Sequence, residues 1–317
     1  MTCKYKDQIL AILDKCDCED PIMTPPPIPK DYVRVSGNKI LSPSGNPVYL
    51  KIFNWNNFYE RPETVYPLQI TTFMDYMQTV GGNCLLFKGN TFLINDQLQP
   101  VSTKLATMHN LIQQAEDRGI YTMLNIFDTW SRGKNTDAIT TDNNQHPINV
   151  WEKGHTERAV NYFKWFIREF RKYPRVIFEL GNEMDWGHHS TNWQTFHWMA
   201  KNHLLIHYYN MVPKDRPIGV SQRNLWTLDV NILFNHHSTN MPNVGPNDRP
   251  IVTNELGDRN LWDDKTINDP AHSSKYTTAF ALAKARNHSG CAAATGLRIH
   301  DTLSQTVKNV LFALGGY

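Results

Sequence analysis

The chain has 317 residues, 40% hydrophobic and 11% aromatic, which is enough for a substantial core and too apolar for a disordered protein. Its 32 basic residues are balanced by 30 acidic ones, and no Lys/Arg run stands out, so no nucleic-acid partner is expected. No apolar run reaches the roughly 18 residues that cross a bilayer, and the first residues lack the apolar core and cleavage site of a signal peptide. No membrane partner is expected, and a cytoplasmic, virion-associated or non-classically exported location stays open.

In chain order, residues 1–20 read as a short helix, with Ile9, Leu10, Ile12 and Leu13 spaced along one face. Pro21, Pro25, Pro26, Pro27 and Pro29 then make a stiff linker. Residues 1–30 are therefore expected to form a helical, Pro-rich extension, a candidate anchor for an assembly partner, and residues 31–317 a single domain. Two short strands around Gly37-Asn38, with a second turn at Ser44-Gly45-Asn46-Pro47, predict a small hairpin that closes the bottom of that domain.

Strands and helices alternate from there on. Apolar runs predict strands over 48–53, 83–87, 121–127, 176–180, 217–221, 232–235, 251–254 and 291–297. Helical periodicity is read over 67–79, 103–118, 157–172, 191–210, 273–287 and 303–314. Eight βα units without a Gly-rich phosphate turn predict a closed (β/α)8 TIM barrel and not a doubly wound sheet. The five cysteines show no metal-ligand or disulfide pattern, and Cys84 and Cys291, in apolar runs, read as reduced core residues.

In such a barrel the chemistry sits where strands give way to loops on the C-terminal face. The residues there are Trp55 and Asn56 after the first strand, Lys88 after the second, and Asp128 and Trp130 after the third. Asn182 and Glu183 follow the fourth, Gln222, Arg223 and Trp226 the fifth, His236 and His237 the sixth, and Glu255 the seventh. Two strand-end glutamates are the minimum equipment for glycoside hydrolysis, which needs one carboxyl to protonate the leaving oxygen and another to attack or to activate water. Tryptophan faces suit sugar rings. The spacing of His188-His189 and His236-His237 is unconvincing for a metal, so neither metal nor cofactor is expected.

These segments resemble the clan A retaining glycoside hydrolases, family 5 (cellulase and mannanase-like) most closely. The resemblance is carried by Phe178-Glu179-Leu180-Gly181-Asn182-Glu183 and Pro250-Ile251-Val252-Thr253-Asn254-Glu255-Leu256-Gly257, with Gly81-Gly82-Asn83-Cys84-Leu85-Leu86-Phe87 and the lead-in from Val33 to Asn54 in support. It implies Glu183 as general acid/base, Glu255 as nucleophile and Asn182 as donor to the sugar 2-hydroxyl. His236 is the preferred strand-six contact, and Trp55, Asn56, Lys88, Trp130 and Trp226 line subsites. Four departures accompany it. A tyrosine commonly placed two residues after the strand-six histidine is not evident. Leu86 stands where the family carries an arginine that hydrogen-bonds the nucleophile, the strand-eight tryptophan is missing, and Met184 follows the acid/base. The expected function is retaining, endo-glucanase- or endo-mannanase-like cleavage of a polysaccharide. The alternative is a catalytically impaired carbohydrate-binding barrel, possibly a structural or virion-associated component.

Overall fold

The computed structural model describes residues 27–55, 67–79, 81–87, 93–95, 98–128, 150, 153–182, 193–221, 228–236, 249–255, 278 and 280–293. The expected helix at 1–20 and the expected helix at 303–314 lie outside these residues.

The described chain opens with a three-stranded antiparallel sheet of β1 (Arg34–Ser36), β2 (Lys39–Leu41) and β3 (Pro47–Val48). Gly37 turns the first hairpin at φ +57°, a left-handed backbone that L side chains rarely adopt. Val48 pairs with Ile40 in this sheet. The segment expected as one strand over 48–53 is therefore divided, and the barrel strand begins at Leu50, whose N–H donates to Ser289 O at 2.9 Å.

Eight parallel strands then close into a barrel. They are β4 (Leu50–Trp55), β5 (Cys84–Phe87), β6 (Tyr121–Asp128), β7 (Val176–Asn182), β8 (Ile218–Ser221), β9 (Ile232–His236), β10 (Ile251–Glu255) and β11 (Gly290–Ala293), each paired with the next and β11 returning to β4. All eight coincide with strands read from the sequence. The helices between them include α1 (Pro67–Thr79), α2 (Ser102–Asp117) and α3 (Thr156–Phe170), followed by α4 (Trp193–Met199) and α5 (Leu205–Met211). The last two replace the single helix expected over 191–210, because a π-helical turn, Ala200–Leu204, joins them. Residues 280–285 are helical within the segment expected as helix over 273–287.

Strand alternation sorts the core into two layers. Leu50, Ile52, Cys84, Leu86, Tyr121, Met123, Ile177, Ile232, Phe234 and Val252 fill the barrel interior, with Val33 and Ile40 of the N-terminal segment packed beneath them. Gly219 makes room for this layer, since a Cβ there would lie 2.4 Å from the Phe234 ring. Cys84 is a free, fully buried thiol whose pKa burial pushes up, as the core reading of that residue requires. The outer layer joins strands to helices. On α3, Ala159, Tyr162, Phe163, Phe166, Ile167 and Phe170 recur at helical spacing and are buried against strand residues such as Phe178 and Leu180. Each such aromatic or aliphatic side chain contributes roughly 1.5–3 kcal/mol by leaving water.

Candidate active site

On β7, Ile177 belongs to the interior layer, whereas Phe178 and Leu180 face the helices. Glu179 shares the row of Ile177, two positions nearer the mouth. It is fully buried and accepts a 3.1 Å hydrogen bond from Asn125 Nδ2, its register partner on β6. The same Asn125 amide also donates to Phe127 O at 3.1 Å. This polar pair lies in strands that are otherwise apolar for most of their length. The sequence reading passed over both residues, although a glutamate inside a central strand was visible as a departure from the apolar pattern.

β7 ends at Asn182, opposite Asp128 on β6. Asn182 is fully buried, and among the described residues neither its Nδ2 nor its Oδ1 has a hydrogen-bond partner. Buried polar atoms without partners are rare in folded proteins because each forfeits its bonds to water. At a strand end on the C-terminal face, such an amide is ready for a donor and an acceptor supplied from outside.

β10 ends at Glu255. The pairing with β9 runs Ile251 to Leu233, Val252 to Phe234 and Thr253 to Asn235, and then skips Asn254, so that Glu255 pairs with His236. Val252, Phe234 and Ile232 are interior residues. An unbroken alternation would give Glu255 the parity of Thr253. The irregularity at Asn254 instead sets Glu255 level with His236. Bulges of this kind recur beside active sites. Just before the bulge, Thr253 Oγ1 lies 3.1 Å from Nδ1 of the buried His288, which ties β10 to the segment leading into β11.

Two sequence-predicted groups, Glu255 and His236, are thus register neighbours, and Asn182 and Trp55 end their strands at the same face. Glu183, Asn56, Lys88, Trp130 and Trp226 lie outside the described residues. Leu86 is buried in the interior layer, so the place of the family's arginine is filled by an apolar side chain packed among others. Among the described residues, no group of three or more His, Cys, Asp or Glu side chains could hold a metal, and no helix is long and apolar enough to cross a membrane.

The sequence profile of the cellulases, glycosyl hydrolase family 5, matches residues 42–257. The chain belongs to that family. The first barrel strand, β4, the Asn182-Glu183 segment and Glu255 all fall within the match, and the fold agrees with solved structures at low sequence identity. The endo-1,4-β-mannanase of Rhizomucor miehei superposes with a TM-score of 0.62 at 11% identity, covering 90% of this chain and 98% of that one. The β-mannanase of the blue mussel Mytilus edulis gives 0.58 at 12%, covering 91% and 97%. The catalytic domain of the major endoglucanase of Xanthomonas campestris pv. campestris gives 0.60 at 15%, covering 90% and 100%. At such identities these likenesses speak for the barrel alone. No curated sequence matches the chain. As a family 5 member it is a glycoside hydrolase by descent, built on a (β/α)8 barrel.

Proposed function

We propose that the protein cleaves β-linked glucan or mannan within the chain, with net retention at the anomeric carbon. Glu255 is the nucleophile and Glu183 the general acid/base. The observation that supports this reading is the register of β10 on β9, in which the strand-end Glu255 pairs with His236 at the C-terminal end of a closed barrel. A carboxylate oxygen of Glu255 attacks the anomeric carbon as Glu183 protonates the departing glycosidic oxygen. Glu183 then takes a proton from water, which displaces the glycosyl ester and regenerates Glu255. The unpartnered amide of Asn182 supports a contact to the sugar 2-hydroxyl, one that strengthens as the oxocarbenium-like transition state forms. His236, Trp55, Asn56, Lys88, Trp130 and Trp226 complete the proposed subsites.

The test is release of reducing ends from β-mannan and β-glucan. Glu183→Gln and Glu255→Gln are each expected to lower the rate about 10³-fold, and the first-formed product is expected to keep the β configuration by NMR. Equal rates in wild type and both variants would remove the assignment. One observation favours a second reading, a barrel that binds carbohydrate without turning it over: Leu86 offers Glu255 no charge where the family has an arginine. Saturable glycan binding with no product formed would establish it.

A further inference from the structure

Helices α3 and α4–α5 pack side by side on the flank of the barrel, on either side of β7 in the sequence, and both run from the mouth toward the bottom. Their outer surfaces carry basic side chains at a spacing that helices ordinarily fill with charges of opposite sign. Lys164 and Arg168 lie four residues apart on α3. His203 and His207 lie four apart on the π turn and α5, and His197 precedes Lys201 by the same interval. Neighbours at that spacing face one another, and like charges there are destabilising. The two helices also bring their charges together. Burial, and after it Lys164, His203 and Arg168, hold the His207 pKa below the ordinary histidine value, so near neutral pH the positive charge at this place is that of Lys164 and Arg168.

Residues 186–214 contain no Asp or Glu. On α3, Glu157 sits in the first turn, and Glu169 is turned to the far side, where it meets His109 at 2.6 Å and Lys172 at 3.5 Å. Among the described residues, Lys164, Arg168, Lys201, His203 and His207 have no carboxylate partner. Toward the mouth, the half-buried Trp198 ring extends the seam, with Lys153 Nζ 4.8 Å from its centroid and the His203 ring 5.0 Å away.

We propose that this seam is a binding surface for an anionic polysaccharide, one bearing carboxylate groups, which it holds along the flank beside the strand that ends in Asn182. Crowded cations without counter-charges are costly alone and become favourable when a polyanion lies across them. The choice of a polysaccharide over a nucleic acid rests on the family 5 reading and on the overall charge. At +2 and a pI near 8.2, the chain lacks the strongly basic balance of nucleic-acid-binding domains. The aromatic ring at the upper end of the seam suits a sugar chain as well.

The experiment measures binding of polygalacturonate by the full chain carrying Glu183→Gln, across a series of NaCl concentrations. Binding is expected, and its loss is expected when the same polymer is fully methyl-esterified, which removes charge but keeps the backbone. Lys164→Gln/Arg168→Gln should weaken binding about tenfold and reduce the slope of log K against log [NaCl] by about 1.5. His203→Gln/His207→Gln, on the other helix, should weaken it as well, and both variants should keep the wild-type melting temperature or exceed it. Unchanged binding in both variants, equal binding of the esterified polymer, or tighter binding of duplex DNA or of phosphatidylglycerol vesicles would overturn the proposal. Hydrolysis of a short neutral oligosaccharide by Lys164→Gln/Arg168→Gln in the otherwise wild-type chain is expected to be unchanged. If wild type shows no hydrolysis while polygalacturonate still binds through the seam, the catalytic reading fails and the seam stands.

Discussion

At the bottom of the barrel, the N-terminal segment is fastened by bonds to neighbouring elements. Val33 N–H donates to Pro174 O at 2.8 Å, Val35 N–H to Asp215 O at 2.7 Å, and the Tyr32 hydroxyl to Asp215 Oδ1 at 2.6 Å. Even the buried Arg216 there, whose Nε and Nη1 lack partners, donates through Nη2 to Tyr173 O and lies under the Tyr32 ring at 5.2 Å. At the mouth, Asn182 is just as buried, yet no hydrogen-bond partner is found for its amide among the described residues. One end spends its polar groups on holding the fold, with a cation–π contact compensating part of a desolvated charge. At the other, the Asn182 amide is left uncommitted among the described residues, the arrangement expected where a substrate supplies the missing bonds.

Substitutions at the two ends should therefore separate activity from stability. The largest effect is expected at the mouth. Asn182→Ala should lower kcat/KM roughly 10²-fold, as loss of a transition-state hydrogen bond does, while the melting temperature stays level or rises because two unpartnered buried atoms are gone. A fall in stability without loss of activity would reverse the comparison. At the bottom, Val33→Ala should cost about 2 kcal/mol in urea unfolding with kcat/KM unchanged, since it opens a cavity in the interior layer far from the mouth.

Tyr32→Phe should cost about 1 kcal/mol. Burial, and then the bond to Asp215, push the Tyr32 hydroxyl pKa from 10.0 up to about 12. Its contribution is complete below pH 10 and is lost as the pH rises toward about 12, so the variant should unfold with a flatter alkaline limb. The smallest effect belongs to Glu169, whose bond to the His109 ring holds its carboxyl below the ordinary value of 4.5. It contributes stability above that value and loses it as the pH falls through the folded pKa. Glu169→Gln should therefore flatten the acid limb of the stability profile near and below pH 4.5.

Most of the architecture could be read from periodicity, because buried parallel strands and amphipathic helices write their faces directly into the apolar pattern. The eight strand positions and α1 follow from it. The division at Tyr49 did not, since Pro47, Val48 and Leu50 form one continuous apolar run, and only pairing decides that Val48 joins Ile40. The bulge at Asn254 was equally hidden. Glu255 drew attention as a strand-end carboxylate, but its parity depends on which residue of β9 it meets. The Glu179–Asn125 pair needed the register of β6 and β7. The basic seam escaped for a related reason: its residues are dispersed along the sequence, and the charges cluster only when two helices pack.

Closure of the barrel between β11 and β4 also sets the order in which the protein can be made. Gly290 to Ala293 pair with Leu50 to Phe53, and the Ser289 hydroxyl donates to Asn38 O at 3.0 Å. The first barrel strand therefore waits, with one edge open, until the last has left the ribosome, many seconds later at typical rates of roughly 5–20 residues per second. Until then an edge rich in apolar side chains is exposed to pairing with other chains. A nascent protein of this design depends on early cover for that edge.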